Sequence, residues 1–536
     1  MRTAQHSAKL IVQLFALSAL FAVAPPVAAA TLTVGASSDP NCDFNTLADA
    51  VAAAAAHPFA DTIRIADNQP YFAVSLDLTG QSLVLAGGYA DCGSTFPTGK
   101  TVLDGNGSFL SPVITIGDMG KHSYAFQDLD IQNSSVAGVS IAGEHTVSLA
   151  FTDIRKHQDR GITMIDGASG FGSTLFVDKN SAITQNGGGI ACTGSGYIQI
   201  HGSIMGNLAP AGGGIRLEGC GMDVFPGSFI AGNDATLGGG IYADAGSQVF
   251  LSGGTRRWNR IMESNWATID GGHLYISGGA SVRAEDVAFV SGDAFGFGAF
   301  AMVTGEGSKL NLDMTPACSR AGDPFEWCSR IYYNGQLSDP LSVITVEEGG
   351  QAQILRTVLD ENAAFDALGT VGTEGSLLRL ESSLIVYSST TALMAPYNGG
   401  ELVVEHVTAA SNWVAHFIKS SADGHATMIS SIVSGDVGGA SLLSANVECL
   451  LTDSIGTLPP GAAPGPSIVE GVNPQFVDPW SFEFDLVSTS PAIDFCDGTV
   501  VTLTGPDLNG NPRPVDQPTV PNTPLGPFDL GAFERP

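Results

Sequence analysis

The sequence has few basic residues: 22 lysines and arginines stand against 53 aspartates and glutamates, and the formal net charge is −31. This shortage excludes nucleic acid as a main partner, because few cations remain to replace the counterions around phosphate. It also disfavours anionic lipids and polyuronates, unless divalent cations bridge the charges. No cofactor is identified, and a divalent cation such as calcium is left open as a ligand.

Beyond its N-terminal region, the chain lacks any apolar run long enough to cross a membrane. Arg2 and Lys9 lead into the apolar segment 10–24, and residues 28–30 are alanines. This order is typical of a secretory signal peptide, and the segment is shorter than the about 20 residues that span a bilayer. We expect cleavage near residue 30 and a mature chain that is secreted or displayed at the cell surface, without a transmembrane span. The alternative is a retained N-terminal anchor.

The eight cysteines include no C-x-x-C pair, and the chain has no clustered histidines. Both observations argue against a zinc site. Cysteines in an exported chain form disulfides. Many connectivities are open, and pairing of nearest neighbours is the simplest. That pairing joins Cys42 to Cys92, Cys192 to Cys220, Cys318 to Cys328, and Cys449 to Cys496.

The 67 glycines recur in a repeat. Three copies of Ile-x-x-Asn lead into glycine triplets, and a looser fourth copy runs from Ile261 through Asn265 to Gly-Gly-His. The apolar residue that follows recurs at intervals of 25, 26 and 33 residues: Ile190, Ile215, Ile241 and Leu274. A second series has a spacing of 24 residues: Leu380, Val404 and Met428. Short β-rich runs at this period indicate a solenoid of strands. A helical solenoid would need longer segments with a period of 3.6 residues.

We therefore predict an all-β fold, a single-stranded right-handed parallel β-helix. Rungs about 4.8 Å apart would give about 15 coils and a rod near 70 Å long. Alternation predicts that Leu378, Leu380 and Leu384 point inward, and that Glu381, Ser383 and Ile385 point outward. Glycine triplets would allow sharp turns with positive φ.

Asparagines at the turns are predicted to stack from coil to coil, each amide bonding to the next. The predicted members are Asn133, Asn186, Asn207, Asn233 and Asn265. Ligand binding by these side chains is the alternative.

Both ends of such a helix need covers, because an open coil is an unpaired strand edge. An amphipathic stretch from Phe44 to Ala56 predicts a helical lid, with Asn45 as its N-cap. Segment 458–466 reads as a linker, and the proline-rich remainder is suited to a C-terminal cap.

Two resemblances support this prediction. The Ile-x-x-Asn and Gly-Gly-Gly-Ile copies resemble the F-x-x-N and GGA-[ILV] repeats of polymorphic outer-membrane proteins, with Ile in place of Phe and Gly in place of Ala. Segments 473–479, 485–494, 507–514 and 528–534 resemble the closing region of bacterial choice-of-anchor Q β-helix proteins. These resemblances imply export from a bacterium and carry no catalytic residues.

The predicted organisation has four parts. Residues 1–30 form the signal peptide, 31–115 the N-terminal cap and first coils, 116–455 the repeats, and 456–536 the linker and the cap that resembles the choice-of-anchor Q region.

Two groups of charged residues are candidates for catalysis. Glu381 and Glu405 are one repeat apart, and two outward carboxylates about 5 Å apart could share a proton or hold a cation. Asp153, His157 and Asp159 belong to the densest charge cluster of the chain. Solvated surface acids and a polar turn with local ion pairs are the favoured alternatives.

Aromatic side chains provide the candidates for ligand binding. Trp327, Tyr332 and Tyr333 belong to a segment that interrupts the repeats, and Trp258 lies in a run with three arginines. Aromatic rings can stack on sugars, and packing over the coils is the favoured alternative for the tyrosine-rich segment.

The sequence lacks the short motifs of polygalacturonases and pectate lyases, and fold alone supplies no activity. The leading hypothesis is a non-catalytic, adhesin-like protein that contacts glycans or cell-envelope partners. A polysaccharide lyase or glycoside hydrolase acting along the groove is the rival, and a structural matrix component is the third hypothesis.

Overall fold

The computed structural model describes residues 29–57, 59–107, 111–178, 180–182, 185–254, 260–315, 318, 329–419, 421, 423–435, 441–443, 445–454, 467–499, 501, 505–517 and 526–535. The predicted signal peptide lies almost entirely outside this set. The described chain is a parallel β-helix, as predicted, and its strands form three rows. Each coil contributes a strand to the first row, turns a corner into the second row, and returns through the third row.

The first row holds sixteen described strands, each parallel to the next. At about 4.8 Å per rung they span roughly 70 Å, in agreement with the predicted length. The strands are Thr31–Val34, Asp61–Ala66, Leu83–Tyr89, Ser123–Gln127, Thr146–Ala150, Ser169–Asp178, Tyr197–Met205, Gly221–Val224, Gln248–Ser252, Ser281–Glu285, Lys309–Asp313, Gln351–Leu355, Leu377–Glu381, Glu401–Glu405, His425–Ser434 and Ala445–Thr452.

Four of these strands, Ser169–Asp178, Tyr197–Met205, His425–Ser434 and Ala445–Thr452, continue around the corner into the second row. The other strands of the second row are Tyr71–Phe72, Thr101–Asp104, Leu129–Gln132, Asp153–Arg155, Phe229–Ala231, Arg260–Glu263, Ala288–Val290, Arg330–Tyr332, Val358–Asp360, Leu384–Val386, Thr408–Ala410 and Ile468–Glu470.

The third row is a separate sheet of fourteen strands. It comprises Leu76–Leu78, Ile114–Gly117, Val139–Ala142, Ile162–Ile165, Ile190–Thr193, Ile215–Glu218, Ile241–Asp244, Leu274–Ile276, Ala301–Thr304, Ser342–Glu347, Ala367–Gly372, Ala392–Tyr397, His416–Lys419 and Ser441–Leu443. Between the second and third rows, a small parallel sheet is formed by Leu208–Ala211, Asp234–Leu237, Trp266–Asp270 and Asp293–Ala294.

The corner between the first and second rows is made by one residue with a left-handed backbone. Positive φ recurs there at Asp128, Phe151, Asp286, Arg356, Ser382, His406, Ser430 and Cys449. This corner residue interrupts the alternation of inward and outward side chains.

The interruption corrects part of the predicted pattern. Leu378 and Leu380 are fully buried inside the coils, as predicted. Past the corner, Ile385 points into the coil core, whereas Leu384 packs on the outside of the second row. Ser383 is buried in the corner, where its Oγ accepts a hydrogen bond from the backbone N of Thr357 at 3.2 Å.

A ladder of buried amides runs along the turn that follows the second row. Within it, Nδ2 of Asn180, Asn207 and Asn233 each donates to Oδ1 of the asparagine on the next rung, at 2.9, 3.0 and 2.9 Å. The members are His157, Asn180, Asn207, Asn233, Asn265 and His273. Because each amide also bonds to backbone groups, the ladder satisfies the buried turn.

The ladder confirms the stacking of Asn207, Asn233 and Asn265 but not of the other two predicted members. Asn133 bonds instead to the carboxylate of Asp104, at 2.9 Å, and Asn186 is exposed. The same turn in later coils carries Asn334, Asn362 and Asn412, which the sequence analysis did not predict.

The glycine triplets make the predicted tight turns. Gly212 has a φ of +65°, and a Cβ on Gly214 would lie 2.7 Å from the carbonyl oxygen of Gly240 on the next coil. The first position therefore needs a left-handed backbone, and the third needs the space of a missing side chain.

The N-terminal lid is the helix Leu47–Ala55, which packs Leu47, Ala50 and Ala54 against the coil core. Its N-cap is Thr46 and not Asn45, since the Thr46 hydroxyl accepts a hydrogen bond from the backbone N of Asp49 at 3.1 Å. No helix in the described part of the chain is long and apolar enough to span a bilayer.

The described residues of 473–535, here called the closing segment, lie along the side of the coils. They include the antiparallel strands Phe476–Asp478 and Glu483–Leu486 and the 3-10 turn Pro479–Ser481. Phe484 and Phe533 pack on the outward apolar side chains of the second row, among them Leu384. A cap over the end of the β-helix was predicted, whereas the described contacts of the closing segment lie along the side of the coils.

Three of the predicted disulfides are present: Cys42–Cys92, Cys192–Cys220 and Cys449–Cys496. The last of these ties the closing segment to a coil. Cys328, the predicted partner of Cys318, lies outside the described residues.

Candidate functional site

The Asp153–Asp159 cluster is held by ion pairs across the second row. Lys100 Nζ lies 2.6 Å from Asp153 Oδ1, and Arg155 Nε donates to Asp130 Oδ1 at 2.8 Å. Burial raises the pKa of Asp159. These contacts match the alternative of a polar region with local ion pairs, and the catalytic role stays a prediction.

His157 is buried and contributes to the structure of the ladder. Its Nδ1 accepts from the backbone N of Ser134 at 3.0 Å, and its Nε2 lies 3.1 Å from the carbonyl oxygen of Ile131. Burial lowers the pKa of His157 to about 4, so the ring is neutral at physiological pH. Proton exchange with a substrate outside the coils is not open to a side chain in this position.

Glu381 and Glu405 are in register on neighbouring rungs, as predicted. The predicted outward exposure is wrong for Glu405, which is fully buried and accepts from Arg379 Nη2 at 3.0 Å. Burial raises the pKa of Glu381, and the neighbouring charge of Glu405 adds to the effect.

The closing segment covers this pair. A Cβ built on Gly505 would lie 3.1 Å from Glu381 Oε1. The adjacent His406 is buried, with its Nδ1 3.3 Å from Arg513 Nη1. An open groove over the two carboxylates is therefore absent from the described residues, and this geometry does not favour polymer cleavage there.

The structure places Tyr332 and Tyr333 side by side, with their ring centroids 5.4 Å apart. Tyr332 is buried, and the guanidinium of Arg330 lies 4.4 Å from its ring centroid. Tyr333 is 44 % exposed, and a hydrogen bond to Glu361 raises its pKa to about 12. Of the two, only Tyr333 can offer its ring to a ligand.

The other two predicted aromatic candidates, Trp258 and Trp327, lie outside the described residues. The strands that follow them, Arg260–Glu263 and Arg330–Tyr332, both pair with Ala288–Val290. These two strands therefore lie two rungs apart.

A larger exposed apolar surface lies on the turn between the second and third rows. We call it the aromatic ridge, and it consists of Trp266, Ile269, Phe295, Leu341, Phe365 and Trp413. Phe295 is 59 % exposed, Phe365 70 % and Trp413 67 %. The Trp266 and Phe295 rings make an edge-to-face contact with centroids 5.4 Å apart.

Backbone contacts place these residues on five of six successive coils, and the coil of Ser389 contributes none of them. Trp266 pairs with Asp293, Leu341 N donates to Gly296 O at 2.8 Å, and Phe365 N donates to Pro340 O at 2.7 Å. Trp413 pairs with Ser389, which pairs in turn with Ala363. The ridge extends over five rung steps, about 24 Å along the axis.

The aromatic ridge was not predicted from the sequence. Two of its residues could have been found there, because Trp266 and Trp413 directly follow the ladder asparagines Asn265 and Asn412. With the asparagine held inward, the next side chain faces solvent. Exposed apolar side chains that recur along one turn of successive coils suit an interaction surface better than a single exposed residue does.

Comparisons with known proteins add little about activity. The sequence matches no family model and no curated protein. A similar solved structure is the crystal structure of pectate lyase Pel9A, with 12 % identity, a TM-score of 0.24, and coverage of 95 % of this chain and 97 % of that chain. The resemblances to choice-of-anchor Q proteins and polymorphic outer-membrane proteins stay predictions.

Proposed function

We propose that this chain is a non-catalytic, exported β-helix protein that binds a neutral glycan along the aromatic ridge. The main support for this proposal is the set of exposed aromatic rings on one turn of the β-helix: Phe295, Phe365 and Trp413. Sugar rings present apolar C–H faces that stack on aromatic side chains. A polymer lying along the axis would meet these rings in succession.

The charge of the protein narrows the ligand class. A net charge of −31 repels a polyuronate. Asp270 and Asp366, which directly follow Ile269 and Phe365, would instead accept hydrogen bonds from sugar hydroxyls. A neutral polysaccharide is therefore the ligand that we propose.

Export is part of the proposal. It is supported by the apolar N-terminal segment and by the disulfides Cys42–Cys92, Cys192–Cys220 and Cys449–Cys496, because disulfides persist in oxidising compartments. Attachment to the cell surface would suit an adhesin-like role with glycan or cell-envelope partners.

The test is retention of the purified mature protein on neutral polysaccharides, such as cellulose, chitin and β-glucan, with pectate for comparison. We expect retention on a neutral polymer and its loss in the double variant Phe365→Ala, Trp413→Ala. Phe96→Ala is the matched control, because Phe96 is 77 % exposed and lies outside the ridge.

Three outcomes would overturn the proposal. Retention that persists in the double variant would remove the ridge from binding, and absence of retention on every polymer would favour the structural matrix role. New reducing ends or unsaturated products that disappear in Glu405→Gln would establish the lyase or hydrolase alternative.

A further inference from the structure

A cleft of about 530 Å³ opens where the closing segment meets the last coils of the second row. Trp480, Phe476, Asn473 and Gln475 line it from the closing segment, and the coil side includes Ser411 and Ser434. The volume lies within the range of small-molecule sites.

Trp480 stands on a turn that is fixed from below. The hydroxyl of Tyr387 donates to the carbonyl oxygen of Pro479 at 2.7 Å, and the rings of Tyr387 and Phe482 are 4.9 Å apart. The indole itself is 90 % exposed. A large apolar ring is thus held at the mouth of the cleft with nearly all of its surface in water, where a bound ligand could cover it.

The polar groups of the cleft are also held in place. Gln475 Oε1 accepts from Thr489 Oγ1 at 2.8 Å, and Asn473 Oδ1 accepts from the backbone N of Gln475 at 2.6 Å. Ser434 Oγ donates to Asp453 Oδ2 at 2.6 Å. Fixed amides and hydroxyls can select a ligand by its hydroxyl pattern, because little side-chain entropy is lost on binding.

We propose that this cleft binds the end of a neutral glycan, with one pyranose stacked on Trp480 and its hydroxyls bonded to the amides of Asn473 and Gln475. No charged side chain is among the described residues that line the cleft, which disfavours a uronate or a phosphate. The polar half of the lining disfavours an acyl chain. The ligand class rests on the proposed function, whereas the site is separate from the aromatic ridge.

The experiment is isothermal titration calorimetry of the full mature chain with short neutral oligosaccharides of glucose, galactose, mannose or N-acetylglucosamine. An oligogalacturonide is the charged comparison. We expect one neutral oligosaccharide to bind, and Trp480→Ala to weaken it by about tenfold or more. Gln475→Ala should weaken it as well, and Phe96→Ala should leave the affinity unchanged.

The cleft and the ridge can fail separately. If no neutral oligosaccharide binds, or if Trp480→Ala binds as tightly as the wild type, the cleft proposal is wrong. If Trp480→Ala loses the oligosaccharide but Phe365→Ala, Trp413→Ala keeps full retention on polysaccharide, the cleft stands and the ridge does not. Tighter binding of the oligogalacturonide would overturn the choice of a neutral ligand.

Discussion

The guanidinium of Arg513 lies 2.8 Å from the carboxylate of Glu534, and both side chains are fully buried between the closing segment and the coils. Arg513 also donates to the carbonyl oxygen of Gly531 at 2.8 Å. This pair belongs to a buried polar network that includes His406 and Asp507. It gives the first prediction about how the closing segment stays attached.

Above about pH 8, where the Glu534 carboxylate is ionised, Arg513→Met should detach or loosen the closing segment, because it leaves that charge buried without its partner. Loss of one member of a buried pair costs about 3–5 kcal/mol. Arg283→Met is the control, since Arg283 pairs with Glu285 on the surface and such pairs contribute about 1 kcal/mol or less. Chemical denaturation and limited proteolysis near residue 505 would measure the difference, and equal effects of the two substitutions would contradict the prediction.

The second prediction concerns pH. Burial raises the pKa of Glu534 to about 8, from an ordinary value of 4.5, and that of Asp529 to about 6, from 3.8. The folded state therefore binds more protons than the unfolded state between these values, so stability falls as pH rises from about 4 to about 8. Groups that face this pair include Arg513, Asp494 and Asp507.

Thermal unfolding measured from pH 5 to pH 8.5 should show this fall in Tm. Glu534→Gln should flatten its upper part, because the glutamine cannot titrate. A Tm that rises steadily over the same range would refute the assignment.

The amide ladder gives the third prediction. Asn233→Ala removes the acceptor for the backbone N of Asn207, at 3.0 Å, and the donor to the carbonyl oxygen of Ile204, at 2.9 Å. Each buried group left without a partner costs about 1–3 kcal/mol, so we expect a loss of about 3 kcal/mol in the free energy of unfolding. The exposed Asn186→Ala should change it by no more than about 0.5 kcal/mol. Urea denaturation compares the two, and a similar small effect in both would count against the ladder.

The fourth prediction separates structure from catalysis at Glu405. Glu405→Gln should lower the free energy of unfolding by about 1–3 kcal/mol, because the buried Arg379 guanidinium would then donate to a neutral amide oxygen instead of a carboxylate. It should leave polysaccharide retention unchanged. The matched control is Glu401→Gln on the same strand, where the side chain is exposed. Loss of retention without loss of stability would assign Glu405 to a ligand site.

The Cys449–Cys496 disulfide supports the fifth prediction. It spans 47 residues between a coil strand and the closing segment, and a loop of this length stabilises by about 4 kcal/mol in the chain-entropy description. The double variant Cys449→Ala, Cys496→Ala should therefore release the closing segment at lower denaturant concentration while the N-terminal coils stay folded. Hydrogen exchange resolved along the chain would show whether the loss is confined to the C-terminal coils.

The coils were predictable because their spacing is written in the sequence. The 24-residue interval from Leu380 to Val404 to Met428 corresponds to three successive rungs of the first row. The ladder was predictable only in part. The repeat pattern Ile-x-x-Asn requires isoleucine three residues before asparagine. Asn180 and Asn362 do not fit this pattern, because Val177 and Leu359 stand at that position.

The lateral position of the closing segment could not be derived from local pattern. Alternation places Glu381 outward, where a solvated carboxylate is expected. Its burial comes from the closing segment, whose residues lie 100 or more positions later in the sequence. The left-handed corner residue Ser382 reverses the alternation of inward and outward side chains, and this reversal was not predicted. With Leu384 assigned inward, the apolar outer face of the second row was not visible in the sequence.

The C-terminal coils also depend on contacts with the closing segment, which follows them in the chain. Thr408 Oγ1 accepts from the backbone N of Ala532, 124 residues further on, and a Cβ on Gly531 would collide with that same oxygen. The N-terminal rungs can assemble as the polypeptide emerges, whereas the outer face around Leu384 stays uncovered until the closing segment has been made. A copy terminated before residue 473 would therefore expose an apolar strip and be prone to aggregation or degradation.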